Sequence, residues 1–201
     1  MLLAIFSTSI IGIPVLLGLT YLLSSRFLTT EPPTPPPPPR DLCAAVGKER
    51  IAELVREPVV TSDHSSRGDI VGCSAETDSD ASGYDALTVQ LSRSAPIGSR
   101  AAEEVASRGI DESCQELAKT KMPPGGAKVP MPGLDTVGDR RCAWAAYGAS
   151  EKTGNLEIYA VRGPDILHIR YDPSQTDDTT PQRLLVAFAR DVLAKTDPAG
   201  Q

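Results

Sequence analysis

The sequence predicts an α+β domain: a mainly antiparallel sheet of about five strands with helices packed on one face, two disulfides, and a single transmembrane helix ahead of it. Three observations carry this expectation. A charge-free apolar stretch opens the chain, a proline run separates it from the rest, and the remainder alternates helical and strand periodicities around four cysteines. The chain therefore divides into an anchor at 1–25, a spacer at 26–40 and an extracytoplasmic domain at 41–201.

Of the 201 residues, 40% are hydrophobic. Beyond residue 40 the chain carries 18 basic and 25 acidic groups, a size and balance that suit one domain with its own core. The acidic excess argues against nucleic acid as a partner, which would need clustered Lys and Arg. Asn155 is the only asparagine and Arg outnumbers Lys, the composition of a GC-rich, bacterial genome.

Met1 to Ser25 holds no charged residue, and Leu2 to Leu23 supplies the ~20 apolar residues that span a bilayer. Gly12, Pro14 and Gly18 are tolerated in such a helix. No A-x-A-like site follows the run, which exceeds the ~7–15-residue core of a signal peptide, so the expectation is an uncleaved signal-anchor. Arg26 on the C-terminal flank would turn the domain inward by the positive-inside rule. The cysteines argue for the outward orientation and weigh more.

Thr29 to Arg40 contains seven prolines in 12 residues. Proline lacks the backbone donor and fixes φ, so the segment predicts polyproline II at ~3.1 Å per residue, a rod of roughly 35 Å. It reads as a standoff from the membrane rather than as a ligand for an SH3-like groove.

Cys43, Cys73, Cys114 and Cys142 all follow the spacer, and an even count in a tethered domain predicts disulfides in an oxidising compartment. Four cysteines allow three connectivities. An internal echo favours one of them. Cys43 and Cys114 each sit near a helix start, and 30 and 28 residues later Cys73 and Cys142 sit on strands. This predicts Cys43–Cys73 and Cys114–Cys142, each worth about 3 kcal/mol in the chain-entropy model. No Cys-x-x-Cys or Cys/His cluster supports zinc instead.

Along the domain, Leu42 to Glu57 predicts one helix with Leu42, Val46, Ile51, Leu54 and Val55 as its apolar stripe, stopped by Pro58. Val59 to Gly68 is polar and reads as a loop. Asp69 to Ala75 predicts a short buried strand, and Tyr84 to Arg93 a half-buried one with Leu87, Val89 and Leu91 inward. Ser99 to Arg108 predicts a helix ended by Gly109, and Cys114 to Lys119 another. Met122 to Val137 is a Pro- and Gly-rich loop, a possible binding lip. Arg140 to Tyr147 predicts a strand with Cys142, Trp144 and Ala146 on one face. Leu156 to Arg162 and Ile166 to Tyr171 form a hairpin around Gly163, Pro164 and Asp165. Thr180 and Pro181 start a last helix that buries Leu185, Phe188, Ala189, Val192 and Leu193. The helix–strand–strand–helix theme occurs twice, as in a duplicated unit.

Several motifs together resemble a known family. They are the hydrophobic segment with its proline tether, Cys43-x-x-Val46 and Cys114-x-x-Leu117 at helix starts, Cys73-x-Ala75 and Cys142-x-Trp144 on strands, and Pro132 to Asp139 (PGLDTVGD) before the second strand. This pattern is similar to the actinobacterial cell-envelope lipoprotein-like domains of unknown function. It is more loosely similar to the two-disulfide extracellular sensor domains of mycobacterial serine/threonine kinases. The chain departs from the lipoproteins in lacking a lipobox cysteine, and from the kinases in lacking a kinase domain. The resemblance implies an envelope location and carries over no functional residues, since it is to domains of unknown function.

Candidate chemistry is sparse. Ser62, Asp63 and His64 adjoin in sequence, which is not triad geometry, and His168 alternates with Leu167 and Ile169 and should face the solvated side of a strand. Asp78, Asp80, Ser82 and Gly83 match the front of a calcium loop, but Val89 stands where the bidentate Glu belongs. Arg67, Gly68 and Asp69 form an RGD triplet that chance alone explains, and Trp144 and Tyr147 read as packing residues. No enzyme, metal or cofactor is expected. The favoured function is a membrane-anchored binding domain of the cell envelope, recognising a protein or a small ligand. An accessory subunit of a membrane complex comes second, and an envelope enzyme third. A binder predicts a concave site, an accessory subunit an exposed apolar patch, and an enzyme a histidine meeting a carboxylate.

Overall fold

A computed structural model of the chain describes residues 32–66, 68–78, 83–119, 127–128, 131–147, 154–174 and 180–198. The apolar segment at 1–25 lies outside the described residues. Among those described, no helix is long and apolar enough to cross a membrane.

The first helical region is two short helices rather than one. α1 (Leu42–Val46) begins where the Asp41 carboxylate accepts the Ala44 N–H at 2.9 Å. It ends at Gly47, whose φ of 93° few other residues adopt. α2 (Lys48–Ala52) follows at once, and the expected apolar stripe survives the break: Leu42, Val46, Ile51, Leu54 and Val55 are all buried. β1 (Pro58–His64) replaces the expected loop. Its Val59, Val60 and Thr61 favour extended backbone, and as an edge strand it can carry Ser62, Asp63 and His64 without burying them.

β2 (Ile70–Thr77) and β3 (Ala86–Arg93) follow, β3 with Leu87, Val89 and Leu91 buried as the alternation requires. α3 (Ala102–Lys119) is continuous where two helices were expected. Gly109 does not end it. The helix lies so close to Ile166 that a Cβ at Gly109 would stand 3.1 Å from the Ile166 Cδ1 atom. A two-residue β4 (Ala127–Lys128) and a 3₁₀ turn (Leu134–Thr136) precede β5 (Arg140–Tyr147), β6 (Gly154–Arg162) and β7 (Asp165–Asp172). α4 (Thr180–Thr196) completes the domain and buries the five residues expected of it.

The sheet is antiparallel throughout, in the order β1-β2-β3-β7-β6-β5-β4. Six full strands form two three-stranded meanders that meet at β3 and β7, one more strand than expected. The first and last helical regions share one face as expected, but the middle helix does not join them there. α1, α2 and α4 cover the face of Val71, Val89, Ile169 and Ile158 and enclose the main core. α3 packs on the opposite face, where Ala106 and Ile110 meet Val161, Tyr159 and Ile166. The apolar side chains at Ile110, Val161 and Ile166 require this, because each lies on a strand or helix face turned away from the main core.

Both disulfides form as the echo predicts, Cys43–Cys73 and Cys114–Cys142. They are not equivalent. Cys73 lies on the middle strand of its meander and faces the main core, whereas Cys142 lies on the outer strand of the other and faces α3.

The spacer is not free along its whole length. Arg93 is buried at the end of β3 and uses all five of its donors. Nε and Nη2 donate to the two Asp165 oxygens at 2.6 and 2.8 Å, and Nη2 also donates to the Thr196 carbonyl at 2.6 Å. Nη1 donates to the Pro36 and Pro37 carbonyls, each at 3.0 Å, and Pro38 is buried. Proline carbonyls have no N–H beside them to form sheet pairs, and here a buried guanidinium takes them up. The folded unit thus reaches back to Pro36, and the expected rod is docked at its domain end.

Gly138, within the PGLDTVGD motif, turns the chain into β5 with φ 61°. A Cβ there would collide with the Val161 carbonyl oxygen, which accepts the Asp139 N–H at 2.6 Å. Gly138→Ala should therefore cost about 2–4 kcal/mol, combining left-handed strain with a backbone clash. A urea titration that finds less than half a kcal/mol would show that this turn relaxes freely.

Candidate functional site on the open face of the sheet

On the face away from the main core, α3 packs against Val161, Ile166 and Tyr159 and is bridged to Cys142. The same face carries polar side chains from β3, β5, β6 and β7, and register places them. Tyr159 lies opposite His168, Gln90 opposite His168 on the other side, Glu157 opposite Arg170, and Trp144 opposite Glu157. Asn155 shares this face two residues before Glu157 on β6.

These residues form a connected cluster. The His168 Nε2 atom is 2.7 Å from Glu157 Oε1, and the Tyr159 hydroxyl donates to the same oxygen at 3.1 Å. The Tyr159 and His168 rings stack with centroids 4.2 Å apart and planes within 2°. The hydrogen bond from His168 holds the Glu157 carboxyl below the ordinary glutamate range, outweighing its partial burial. Burial and the neighbouring Glu157 push the Tyr159 phenol up to about 12, so it stays a hydrogen-bond donor. Arg170, cross-strand from Glu157, is held by Asp172 at 3.2 Å.

Two polar atoms nearby lack partners among the described residues: the Trp144 indole Nε1 and the Asn155 Oδ1, both buried. Each such atom costs about 1–3 kcal/mol if left unsatisfied. They are a donor and an acceptor at diagonal positions of one face.

The lowered Glu157 pKa has a measurable consequence. A carboxylate depressed in the folded state contributes stability that is complete above its ordinary pKa of 4.5 and is lost as pH falls through the depressed value. Glu157→Gln should therefore flatten the acid limb of stability below pH ~4.5 and change little near neutrality beyond a constant offset. Parallel urea titrations across that range would show it, and equal acid slopes in both proteins would refute the assignment.

The remaining sequence candidates fall elsewhere. His64 is exposed at the end of β1, with Ser62 on its own face and Asp63 on the other, so the three cannot act as a triad. Ser62 instead donates to Asp41 at 2.6 Å. Asp80 and Ser82 lie outside the described residues, while Val89 is fully buried in β3. Among the described residues no group of three or more His, Cys, Asp or Glu could hold a metal. Arg67 is also outside them, and Asp69 of the triplet accepts from Ser65 at 2.8 Å in the β1–β2 turn. Residues 122–126 and 129–130 of the expected 122–137 loop lie outside the described residues as well, and 127–128 form β4.

His168 faces the solvated side of its strand as expected, but it is not an isolated surface residue. It meets a carboxylate, the arrangement an enzyme would show. Among the described residues no hydroxyl or thiol bonds to it, so the pair can hold and orient a proton without an adjacent nucleophile. Sequence reasoning missed Glu157, Tyr159 and Asn155, although period-two alternation in β6 sets all three on the polar face. A separate shallow groove of about 480 Å³ lies beside edge strand β1, lined by Val59, Thr61, Ser74, Glu76, Thr77, Asp78 and Tyr84. Val59 and Tyr84 are 56% and 57% exposed there.

Comparison with known proteins identifies no relative: no family model matches the chain, and neither a curated protein nor a solved structure is similar to it.

Proposed function

We propose that this chain is a binding domain of the bacterial cell envelope, anchored by its N-terminal apolar segment with the folded part outside the membrane. It binds through the open face of its sheet. The observation that carries this reading is the asymmetry of the two faces. One is sealed by three helices, while the other leaves Glu157, His168, Tyr159, Trp144 and Asn155 together beside α3. Two disulfides support an oxidising compartment, and hence the outward orientation despite Arg26. The resemblance to actinobacterial envelope domains agrees with that placement.

A second reading, an accessory subunit of a membrane complex, is favoured by the exposed Val59 and Tyr84 beside an edge strand able to accept another strand. Photo-crosslinking in intact cells separates the two. A photoreactive residue at Gln90 should yield adducts, and one at Arg190 on the outer side of α4 should not. Adducts from Val59 alone would favour the accessory subunit. Labelling only from the Arg190 position would sink both readings.

A further inference from the structure

A second site lies where the docked spacer meets the β1–β2 turn. We propose that Pro37, Pro38, Arg40, His64 and Val71 form a pocket for a single-chain anionic lipid, an apolar chain ending in a carboxylate or phosphate head. The cavity has a volume of about 520 Å³, within the range of about 300–1,000 Å³ common to small-molecule sites, and Gly68 completes its lining among the described residues. His64 pairs with Val71 across the β1–β2 ladder, and Val71 belongs to the main core. The pocket therefore lies on the helix-covered side of the sheet, not on the face of Glu157 and His168. The inference goes beyond the binding reading above and does not depend on it.

The walls select the apolar body. Pro37 and Pro38 have no backbone N–H, and the Pro37 carbonyl is already taken by Arg93. Val71 adds only methyl groups, and Gly68 has no side chain. A peptide or a saccharide carries a polar group on every unit, and such walls would leave most of them unmet. An acyl chain has none to satisfy. One wall is the spacer itself, so the pocket exists only while Arg93 holds the spacer against the domain.

Two side chains select the head. Arg40 and the His64 ring are exposed, and among the described residues neither has a hydrogen-bond or ion-pair partner. Arg40 presents five donors, and a histidine ring presents at least one in either protonation state. No carboxylate lines the cavity among the described residues. The acidic neighbours in sequence are engaged elsewhere: Asp41 accepts from the Ala44 N–H and Ser62, Asp63 from the His64 N–H, and Asp69 from Ser65. An ammonium head would meet donors only, and a neutral head would leave the guanidinium charge uncompensated. The groove beside β1, lined by Glu76 and Asp78, has the opposite character.

The chain has two histidines, one in the pocket and one on the open face, so His168 is an internal control for His64. The full-length protein, in a sterol-based zwitterionic detergent without an acyl chain, is titrated with octanoate, decanoate and dodecanoate while both ring resonances are followed. Dodecyl phosphate tests the other anionic head. Dodecanol, dodecyltrimethylammonium, acetate and inorganic phosphate separate the chain from the head. The expected result is a saturable shift of His64 alone with dodecanoate or dodecyl phosphate, the affinity rising about fourfold for each methylene added. Arg40→Gln should weaken binding by about tenfold or more, the worth of one hydrogen bond to a charged group. Its thermal midpoint should stay in place, because Arg40 is exposed. Equal binding of dodecanol or of dodecyltrimethylammonium overturns the proposal, since the head then plays no part. A shift as strong with acetate or inorganic phosphate also overturns it, as an adventitious ion only, and so does the absence of any shift. None of these outcomes touches the open-face reading, which stands or falls on the adducts at Gln90.

Discussion

Arg93→Ala should destabilise the domain by about 3–5 kcal/mol, the range for removing one partner of a buried ion pair. The substitution orphans more than Asp165. It strips donors from the Thr196 carbonyl at the end of α4 and from the Pro36 and Pro37 carbonyls of the spacer. Burial already raises the Asp165 pKa, with Arg93 opposing it. The folded state thus holds the Asp165 proton longer than the unfolded chain does, and the penalty for ionising it is present above the ordinary value of 3.8. Without Arg93 that penalty grows, so the deficit of the variant should be largest near neutrality and should narrow as acid protonates Asp165. Lysine is a poor substitute, since three donors on one nitrogen cannot reach five acceptors on three separate segments. Two measurements check the account: urea unfolding as a function of pH, and protease sensitivity around Pro36. A variant that loses stability while its spacer stays protected would show that the proline carbonyls do not depend on Arg93.

What could be read from the sequence was what lies within one element or one hairpin. Alternation located β3, β6 and β7, the capping residues located α4, and the cysteine echo selected the correct pairing. The failures have separate physical origins. Gly47 broke the first helix, because a glycine in the left-handed region does not announce itself by periodicity. Gly109 read as a terminator because its reason for being glycine, contact with Ile166, is a tertiary one. β1 read as loop because an edge strand exposed on both sides loses the alternation by which strands are recognised. The echo also succeeded for an incomplete reason: the two bridges occupy different strands of their meanders and opposite faces of the sheet.

The candidate site was closer to legible than it looked. With Gly163 and Pro164 as a two-residue turn, Arg162 faces Asp165, and counting back along both strands puts Tyr159 opposite His168 and Glu157 opposite Arg170. The partnership of His168 with a glutamate could thus have been derived from one hairpin. The Arg93 hub could not. It joins β3 to residues 56, 72 and 103 positions away, and no local pattern marks a buried arginine as different from an exposed one.

Removing the two disulfides should expose how unequal they are. By loop closure they are twins, with sequence separations of 30 and 28, and chain entropy gives each about 3–4 kcal/mol. Replacing Cys43 and Cys73 together by alanine should nevertheless cost more than replacing Cys114 and Cys142, by about 1 kcal/mol or more, through lost packing in the main core. Cys43 and Cys73 are 7% and 2% exposed within it. The helix that Cys43 staples has five residues, far too short to persist unaided. Besides the bridge it depends on burial of Leu42 and Val46 and on Lys195 of α4, which donates to the Val46 carbonyl at 2.6 Å. Losing that staple lets α1 and α2 fray, which uncovers the core against α4. α3, by contrast, has 18 residues and keeps its contacts to Val161 and Ile166 when Cys114 is freed. Hydrogen exchange should then show protection lost across α1, α2 and β1 in the first variant, and only toward the C-terminal half of α3 in the second. Equal urea midpoints with equal exchange patterns would mean that both bridges act on the unfolded chain alone, and that packing around Cys43 adds nothing.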